Sequence, residues 1–320
     1  ASYYGEPNCK EDELLHALES AAANNNINKL QILLDANRAL RKVSVTNIHG
    51  QSHEGSARMK QTSSAEALYS RIDPYLKKRK NSPQQNQQQN GLFLFHVNDK
   101  RLCTILPSPL DEVAGVFHIK AYIVDDELIL SGANLSEEYF SNRLDRYMLF
   151  KNGGGGRVDF YSNLCDILGE YSIRYDGQSN DKRVNNLSSL FSVIGEKDRK
   201  QKLELSLMQL FDGSNYNMNE VEDDQIVAYA IPTFQMPQSF LGRSLRFQSD
   251  TEVTRNLLLL SNCERYPASV HLSSAYLNLT PRMLSVLTKY GKQNDKAYIL
   301  TAGELSHGFA PKAGSHSKSH

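Results

Sequence analysis

Residues 11–23 place Leu14, Leu15, Leu18 and Ala22 at helical spacing, which predicts an amphipathic helix with one apolar stripe. The run Leu30–Leu34 is short, continuous and ends at Asp35. It predicts a buried strand whose exit loop carries Arg38 and Arg41. A second helix is expected over Ala65–Lys78 and a strand over Leu92–Val97. Between them Asn81–Asn90 is a Gln/Asn tract, too polar to build a core and expected as a flexible loop. Strand patterns follow at Val116–Val124, Glu127–Ser131 and Tyr147–Phe150, then a helix pattern at Val158–Leu168. Gly153–Gly156 lack the Gly-Lys-Ser/Thr that would follow in a phosphate loop, and are read as a turn.

From Asp176 to about Asp224 the chain is polar and mixed in charge, which suits an interdomain connection. Strand patterns return at Gln225–Ile231, Ser269–Tyr276 and Lys296–Thr301, with a helix pattern over Thr251–Leu260. Alternating strands and helices predict an α/β fold, a mixed sheet flanked by helices. The expected organisation is a complete unit over 1–175, a connection over 176–224 and an incomplete second unit over 225–320.

Composition narrows the function classes. A chain of 320 residues has room for about two domains. Its 36 basic and 36 acidic residues cancel, which argues against a nucleic-acid partner, since such binders neutralise phosphates with excess basic charge. A local pocket for one or two phosphates remains compatible with that balance. No apolar run reaches the ~18–20 residues of a membrane span, so association with a membrane would be peripheral. Cys9, Cys103, Cys165 and Cys263 are far apart and form no CxxC pair, so reduced thiols are expected rather than a zinc site or disulfide scaffold.

The chemistry concentrates in Val116–Asn134, VFHIKAYIVDDELILSGAN. On a strand, His118 and Lys120 point to one face while Ile119 and Ala121 pack on the other. A hairpin turn at Asp125-Asp126 would return Gly132-Ala133-Asn134 alongside them. Imidazole, ammonium and carboxamide on one face suit attack on phosphorus. Neutral imidazole is the nucleophile, and Lys120 and Asn134 donate to oxygens that gain charge in the transition state. No clustered carboxylates are available to hold a metal, and no cofactor is implied. Arg38 and Arg41 follow a strand end, where they either clamp a phosphate bidentately or stay solvated. His96 is read as a core histidine, and His271 as core or surface.

The HxKxxxxD segment resembles the HKD motif of the phospholipase D superfamily. The surrounding text is similar to one branch, the eukaryotic phosphatidylglycerophosphate synthases. The resemblance rests on Ala1-Ser2-Tyr3-Tyr4-Gly5, Ile32–Asp35 with Arg38 and Arg41, Phe117–Tyr147 including SGANLSEEYFSNRLDRY, and Ala275–Thr280, in family order. Asn134 follows Asp125 by nine residues, the spacing of this branch. The resemblance implies a phospholipase D-like fold and transfer of the phosphatidyl group from CDP-diacylglycerol to glycerol 3-phosphate. His118 would be the nucleophile that expels CMP, with Lys120 and Asn134 holding the phosphoryl oxygens. Asp145 would orient His118, and Asp125 would hold the hairpin together. The implied setting is the mitochondrion, at the inner-membrane surface, on the route to phosphatidylglycerol and cardiolipin.

The superfamily builds its site from two such motifs, one acting as nucleophile and one as acid. Here one is complete, and His316-Ser317-Lys318 reads as part of a low-complexity tail. Three expectations follow: a chain truncated at both ends, a homodimer that completes the site with a second copy, or a non-catalytic phospholipid-binding relic. A homodimeric phosphodiesterase or nuclease of the same superfamily is the alternative enzyme. The sequons at Asn134, Asn186 and Asn278 are not expected to be glycosylated.

Overall fold

The computed structural model describes residues 10–24, 29–41, 43–45, 60–80, 90–96, 116–141, 143–151, 156–177, 196–211, 232, 250–261, 269–274, 279–288 and 297–303. The chain divides into two compact units, 1–229 with 236–245 and 230–235 with 246–320. Ala1–Gly5, Gln225–Ile231, Ala275–Asn278 and the His316-Ser317-Lys318 tail lie outside the described residues.

The first unit is built on a three-stranded sheet of β1 (Gln31–Asp35), β4 (Gly91–Phe95) and β8 (Ile173–Arg174). β1 and β4 run parallel, Gln31 opposite Gly91 through Asp35 opposite Phe95, and β8 pairs antiparallel on the far side of β4. All five residues of β4 are buried. That explains its unbroken apolar run, because a central strand covered on both faces has no reason to alternate.

On one face Leu92 and Leu94 pack into a core with Leu15 and Ala22 of α1 (Lys10–Ala23) and Leu68, Ile72 and Leu76 of α3 (Ser64–Lys80). α1 and α3 are further joined by Arg71, which bonds Glu19 through Nε and Asp12 through Nη1. Ser63 caps α3 by accepting from the Glu66 N–H at 3.2 Å. The other side of the sheet is covered by α5 (Arg157–Glu170), whose Val158, Phe160, Leu164 and Leu168 are buried.

α6 (Glu196–Phe211) lies in the stretch read as a connection, yet it packs on α5. Leu203, Leu207 and Leu210 form its buried stripe, and the Phe160 and Phe211 rings meet edge to face at 5.1 Å. Arg199 reaches the Tyr171 carbonyl through Nε at 3.0 Å. A second sheet in this unit is an antiparallel β5 (Ala121–Val124), β6 (Glu127–Ser131) and β7 (Tyr147–Phe150). Short elements complete it: α2 (Ala36–Ala39), the β2 (Val43–Val45) and β3 (Lys60–Thr62) pair, and α4 (Glu137–Ser141).

Within the second unit β9 (Val270–Ser274) and β10 (Ala297–Thr301) pair in parallel, and His271 stacks on Tyr298 at 4.6 Å. His271 is therefore an exposed strand residue against a ring. α7 (Asp250–Ser261) and α8 (Pro281–Leu287) meet through Glu252 and Arg282 at 3.5 Å. The fold class is the one expected: mixed α/β, with sheets flanked by helices.

One reading needs correction. The predicted strand Val116–Val124 is a strand only from Ala121; residues 116–120 approach it without regular pairing. The polar tract predicted as a loop ends in a structural residue. Asn90 is 6% exposed and its Oδ1 accepts the Leu30 N–H at 2.7 Å, tying the starts of β1 and β4 together. Residues 81–89 lie outside the described set. Asn90→Ala strands the Leu30 donor in the interior. Chemical denaturation is expected to show a loss of about 1–3 kcal/mol, the cost of an orphaned buried group.

Candidate active site

The HxK segment sits beside the carboxyl end of β1, where the strand stops at Asp35 and the chain turns into α2. Asp35 caps that helix: its Oδ1 accepts the Arg38 N–H at 2.9 Å. Its Oδ2 accepts the Phe117 N–H at 2.8 Å. The Phe117 ring lies 5.2 Å from Phe95, the residue paired with Asp35 on β4. One strand end thus holds both the residue before His118 and the helix that bears Arg38.

His118 has one exposed side, yet burial and the positive charges of Lys120 and Arg38 push its pKa down to about 4. Its imidazole is neutral at pH 7, with a free lone pair. Lys120 is pushed down to about 8 by burial and by Arg38, while the Asp145 carboxylate pulls the other way. Its Nζ donates to the His118 carbonyl at 3.0 Å. These shifts place Arg38 in one electrostatic neighbourhood with both motif residues. Arg41 is exposed, one turn further on, with its N–H donating to the Arg38 carbonyl at 3.4 Å.

The hairpin then returns the chain. Val124 pairs with Glu127 across Asp125-Asp126, and Asp125 has φ +52°, a left-handed conformation that Asp tolerates. Asp125 is exposed in that turn. Ser131 donates its N–H to the Lys120 carbonyl at 3.3 Å. The next residues are pinned locally: Ala133 N–H to Ser131 Oγ at 3.0 Å, Tyr122 hydroxyl to the Ala133 carbonyl at 3.4 Å, and Ser136 N–H to the Asn134 carbonyl at 3.0 Å. Asn134 therefore stands, half-buried, three residues past the pairing partner of Lys120.

Asp145 lies over Gly132. A Cβ added at Gly132 would stand 3.0 and 3.1 Å from the two carboxylate oxygens, closer than ordinary packing allows. Oδ1 of Asp145 accepts the Arg146 N–H at 2.8 Å. Among the described residues no hydrogen bond joins Asp145 to His118, and its charge is felt at Lys120. The acid expected to orient the histidine is placed beside the lysine. His96 is buried at the end of β4, as a core histidine should be.

Sequence reading missed Asp35. It closes the Ile32–Asp35 stretch that carries part of the resemblance but was given no role there; its further signal was an N-cap residue three positions before Arg38. Among the described residues no group of three or more His, Cys, Asp or Glu could hold a metal, and no helix is long and apolar enough to cross a membrane. Cys165 is a free thiol pushed up to about 11 by burial and the nearby Asp166; the other cysteines lie outside the described residues.

No family model matches the chain. It is 28% identical over 236 residues to a probable CDP-diacylglycerol–glycerol-3-phosphate 3-phosphatidyltransferase of Dictyostelium discoideum, covering 68% of this chain and 38% of that protein. Identity is 27% over 253 residues to the mitochondrial CDP-diacylglycerol–glycerol-3-phosphate 3-phosphatidyltransferase of Pongo abelii, covering 72% and 43%. The human mitochondrial protein of the same name is 27% identical over 248 residues, covering 70% and 42%. The chain thus spans about two fifths of the length of these relatives. In structure it matches phosphatidylserine synthase of Haemophilus influenzae with a TM-score of 0.55 at 16% identity, over 96% of this chain and 56% of that one.

The Asp145–Gly132 contact gives a measurable consequence. Removing the charge with Asp145→Asn, or displacing it with Gly132→Ala, takes away the attraction that favours the lysine cation. Lys120 is expected to titrate below about 8 in both variants. Carbon-13 NMR of reductively methylated lysines would read the shift, with Lys120→Arg identifying the peak.

Proposed function

We propose that this chain carries a nucleophilic half-site of a phosphatidyltransferase that makes phosphatidylglycerophosphate, as the names of its relatives suggest. The observation that carries the reading is a neutral imidazole at His118 flanked by two cations, Lys120 and Arg38. Imidazole with a free lone pair attacks phosphorus, and cations beside it stabilise the charge that builds on the non-bridging oxygens.

In this reading His118 attacks the phosphatidyl phosphorus of CDP-diacylglycerol. A nitrogen–phosphorus bond forms, the diphosphate bridge breaks, and CMP leaves with the electron pair. The 1-hydroxyl of glycerol 3-phosphate then attacks the phosphohistidine and loses its proton, giving phosphatidylglycerophosphate and free His118. Lys120, Arg38 and the Asn134 amide hold phosphoryl oxygens in both steps. Arg41, exposed one turn on, is available to the phosphate of the acceptor. Asp125 serves the hairpin, and Asp145 tunes Lys120. The acid that protonates the leaving group would come from a second motif, either in a longer polypeptide or in a second copy of this chain.

CDP-diacylglycerol resides in a bilayer, so the site works at a membrane surface to which the protein binds peripherally. The mitochondrial names of relatives favour the inner mitochondrial membrane. The single complete motif favours one other reading, a protein that binds phospholipid without turning it over.

The test is CMP release from CDP-diacylglycerol in mixed micelles, with and without glycerol 3-phosphate. Release that depends on the acceptor and falls by about three or more orders of magnitude in His118→Ala is the expected result. A folded chain that binds CDP-diacylglycerol and releases no CMP selects the binding protein instead. Cleavage of bare DNA would select a nuclease.

A further inference from the structure

Residues 116–120 carry the chemistry but have almost no ladder of their own. Regular pairing begins at Ala121, and among the described residues the one backbone–backbone bond upstream of it is from Ser131 N–H to the Lys120 carbonyl. Something else must hold the chain at His118. The contacts available there come from the end of the parallel sheet: the Phe117 ring against Phe95, and the Phe117 N–H on Asp35 Oδ2 at 2.8 Å.

The same carboxylate has a second task. Its Oδ1 accepts the Arg38 N–H at 2.9 Å and so sets the start of α2. The two oxygens of one side chain therefore fix two separate backbones, 82 and three residues away along the chain. Asp35 is itself held by β1, paired with Phe95 on the buried β4. A carboxylate with both oxygens engaged by backbone N–H groups cannot swing without releasing one of them.

We propose that Asp35 is a positioning residue, a two-armed latch that sets the placement of His118 relative to Arg38. The proposal takes His118 as the reacting group and so rests on the functional reading above. A displacement of about 1 Å between a nucleophile and its electrostatic partner can cost roughly 100-fold in rate, which is why such a latch matters. No other residue supplies both acceptors at this reach: a glutamate is one carbon longer, and an asparagine, though isosteric, offers one acceptor oxygen in place of two.

The test separates the latch from turnover by titrating the His118 imidazole in the whole chain by NMR, its resonance identified by its loss in His118→Ala. In the wild-type chain burial first, and then the positive charges of Lys120 and Arg38, hold the midpoint near 4. Deleting the carboxylate acts through two routes of opposite sign. Loss of a nearby negative charge by itself makes the ring harder to protonate and lowers the midpoint further. Release of the segment from Arg38 raises it toward the ordinary value of about 6.5.

A rise of about one unit in Asp35→Ala is expected. A smaller rise is expected in Asp35→Asn, which keeps a good helix cap while giving up one of the two bonds. Arg38→Gln should raise the midpoint in the wild-type background and have little further effect in Asp35→Ala. If Asp35→Ala does not fold, Asp35→Asn carries the same comparison. An unchanged or lowered midpoint in a folded variant, with the Arg38→Gln effect intact, overturns the proposal. That outcome would leave Asp35 with a role in stability alone, visible only as a lower Tm. CMP release is measured separately, so a chain that shows the rise but no turnover defeats the transferase reading and leaves the latch standing.

Discussion

The geometry around His118 depends on the carboxylate at the end of β1. A strand that terminates in Asp35 leaves two acceptor oxygens at the edge of a parallel sheet, where loop backbones have donors to place. One oxygen closes the first turn of α2 and the other receives the Phe117 N–H. Two backbones distant in sequence are thereby brought to one point and oriented by hydrogen bonds to an ionised acceptor, which are stronger than neutral ones. Remove that carboxylate and the antiparallel hairpin keeps its ladder, the parallel sheet keeps its core, and α5 still packs on strands of both, but the segment at His118 loses the hydrogen bond that ties it to the end of β1.

This arrangement resolves an apparent conflict in the composition. The chain has no net charge, yet the site gathers cations. Burial first, and then the charges of Lys120 and Arg38, depress the imidazole of His118 to about 4, while burial and Arg38 depress the Lys120 ammonium to about 8. Neutrality of the whole chain and local positive potential are compatible because helix-surface pairs such as Arg71 with Glu19 and Lys29 with Asp166 cancel charge elsewhere. Only the local field matters to a phosphate within a few ångströms, since charges beyond a Debye length of roughly 8 Å are screened.

Much of the fold is legible in apolar spacing. α1, α3, β1, β4 and β6 fall within a few residues of their predicted bounds because each carries its own periodicity or an uninterrupted apolar run. What was not legible has physical reasons. Residues 116–120 have the composition of a strand, but a strand also needs a pairing neighbour, and composition does not report one. α6 was hidden by its charge: Glu196 to Lys202 read as connection, while the stripe of Leu203, Leu207 and Leu210 that buries it against α5 spans only two turns. Asn90 shares its residue type with the polar tract before it and differs only in facing an interior N–H. At the site, His118 and Lys120 were named by their motif, and the hairpin position of Asp125 by its spacing. Asp35 could not be found that way, because its partners are main-chain groups and any residue can supply those.

The depressed imidazole also bears on how a site of this kind would be used. In the free protein burial and the two cations together make His118 a weak base, and a weak base is in general a weaker nucleophile. In the proposed transfer the incoming diphosphate brings negative charge to the same two cations. Their repulsion of the imidazolium is then offset, and the basicity of His118 rises while the phosphorus is within reach. With its pKa near 4 the ring is overwhelmingly neutral at pH 7 in the free state, so no proton must be removed before attack. Desolvation by the bound substrate works in the other direction, since it disfavours the cation of His118, and the balance depends on how much of the exposed side of the ring the substrate covers. Arg38 and Lys120 would thus act twice, first keeping the nucleophile unprotonated and then holding the phosphoryl oxygens. Both tasks require that their distances to His118 be fixed before substrate arrives.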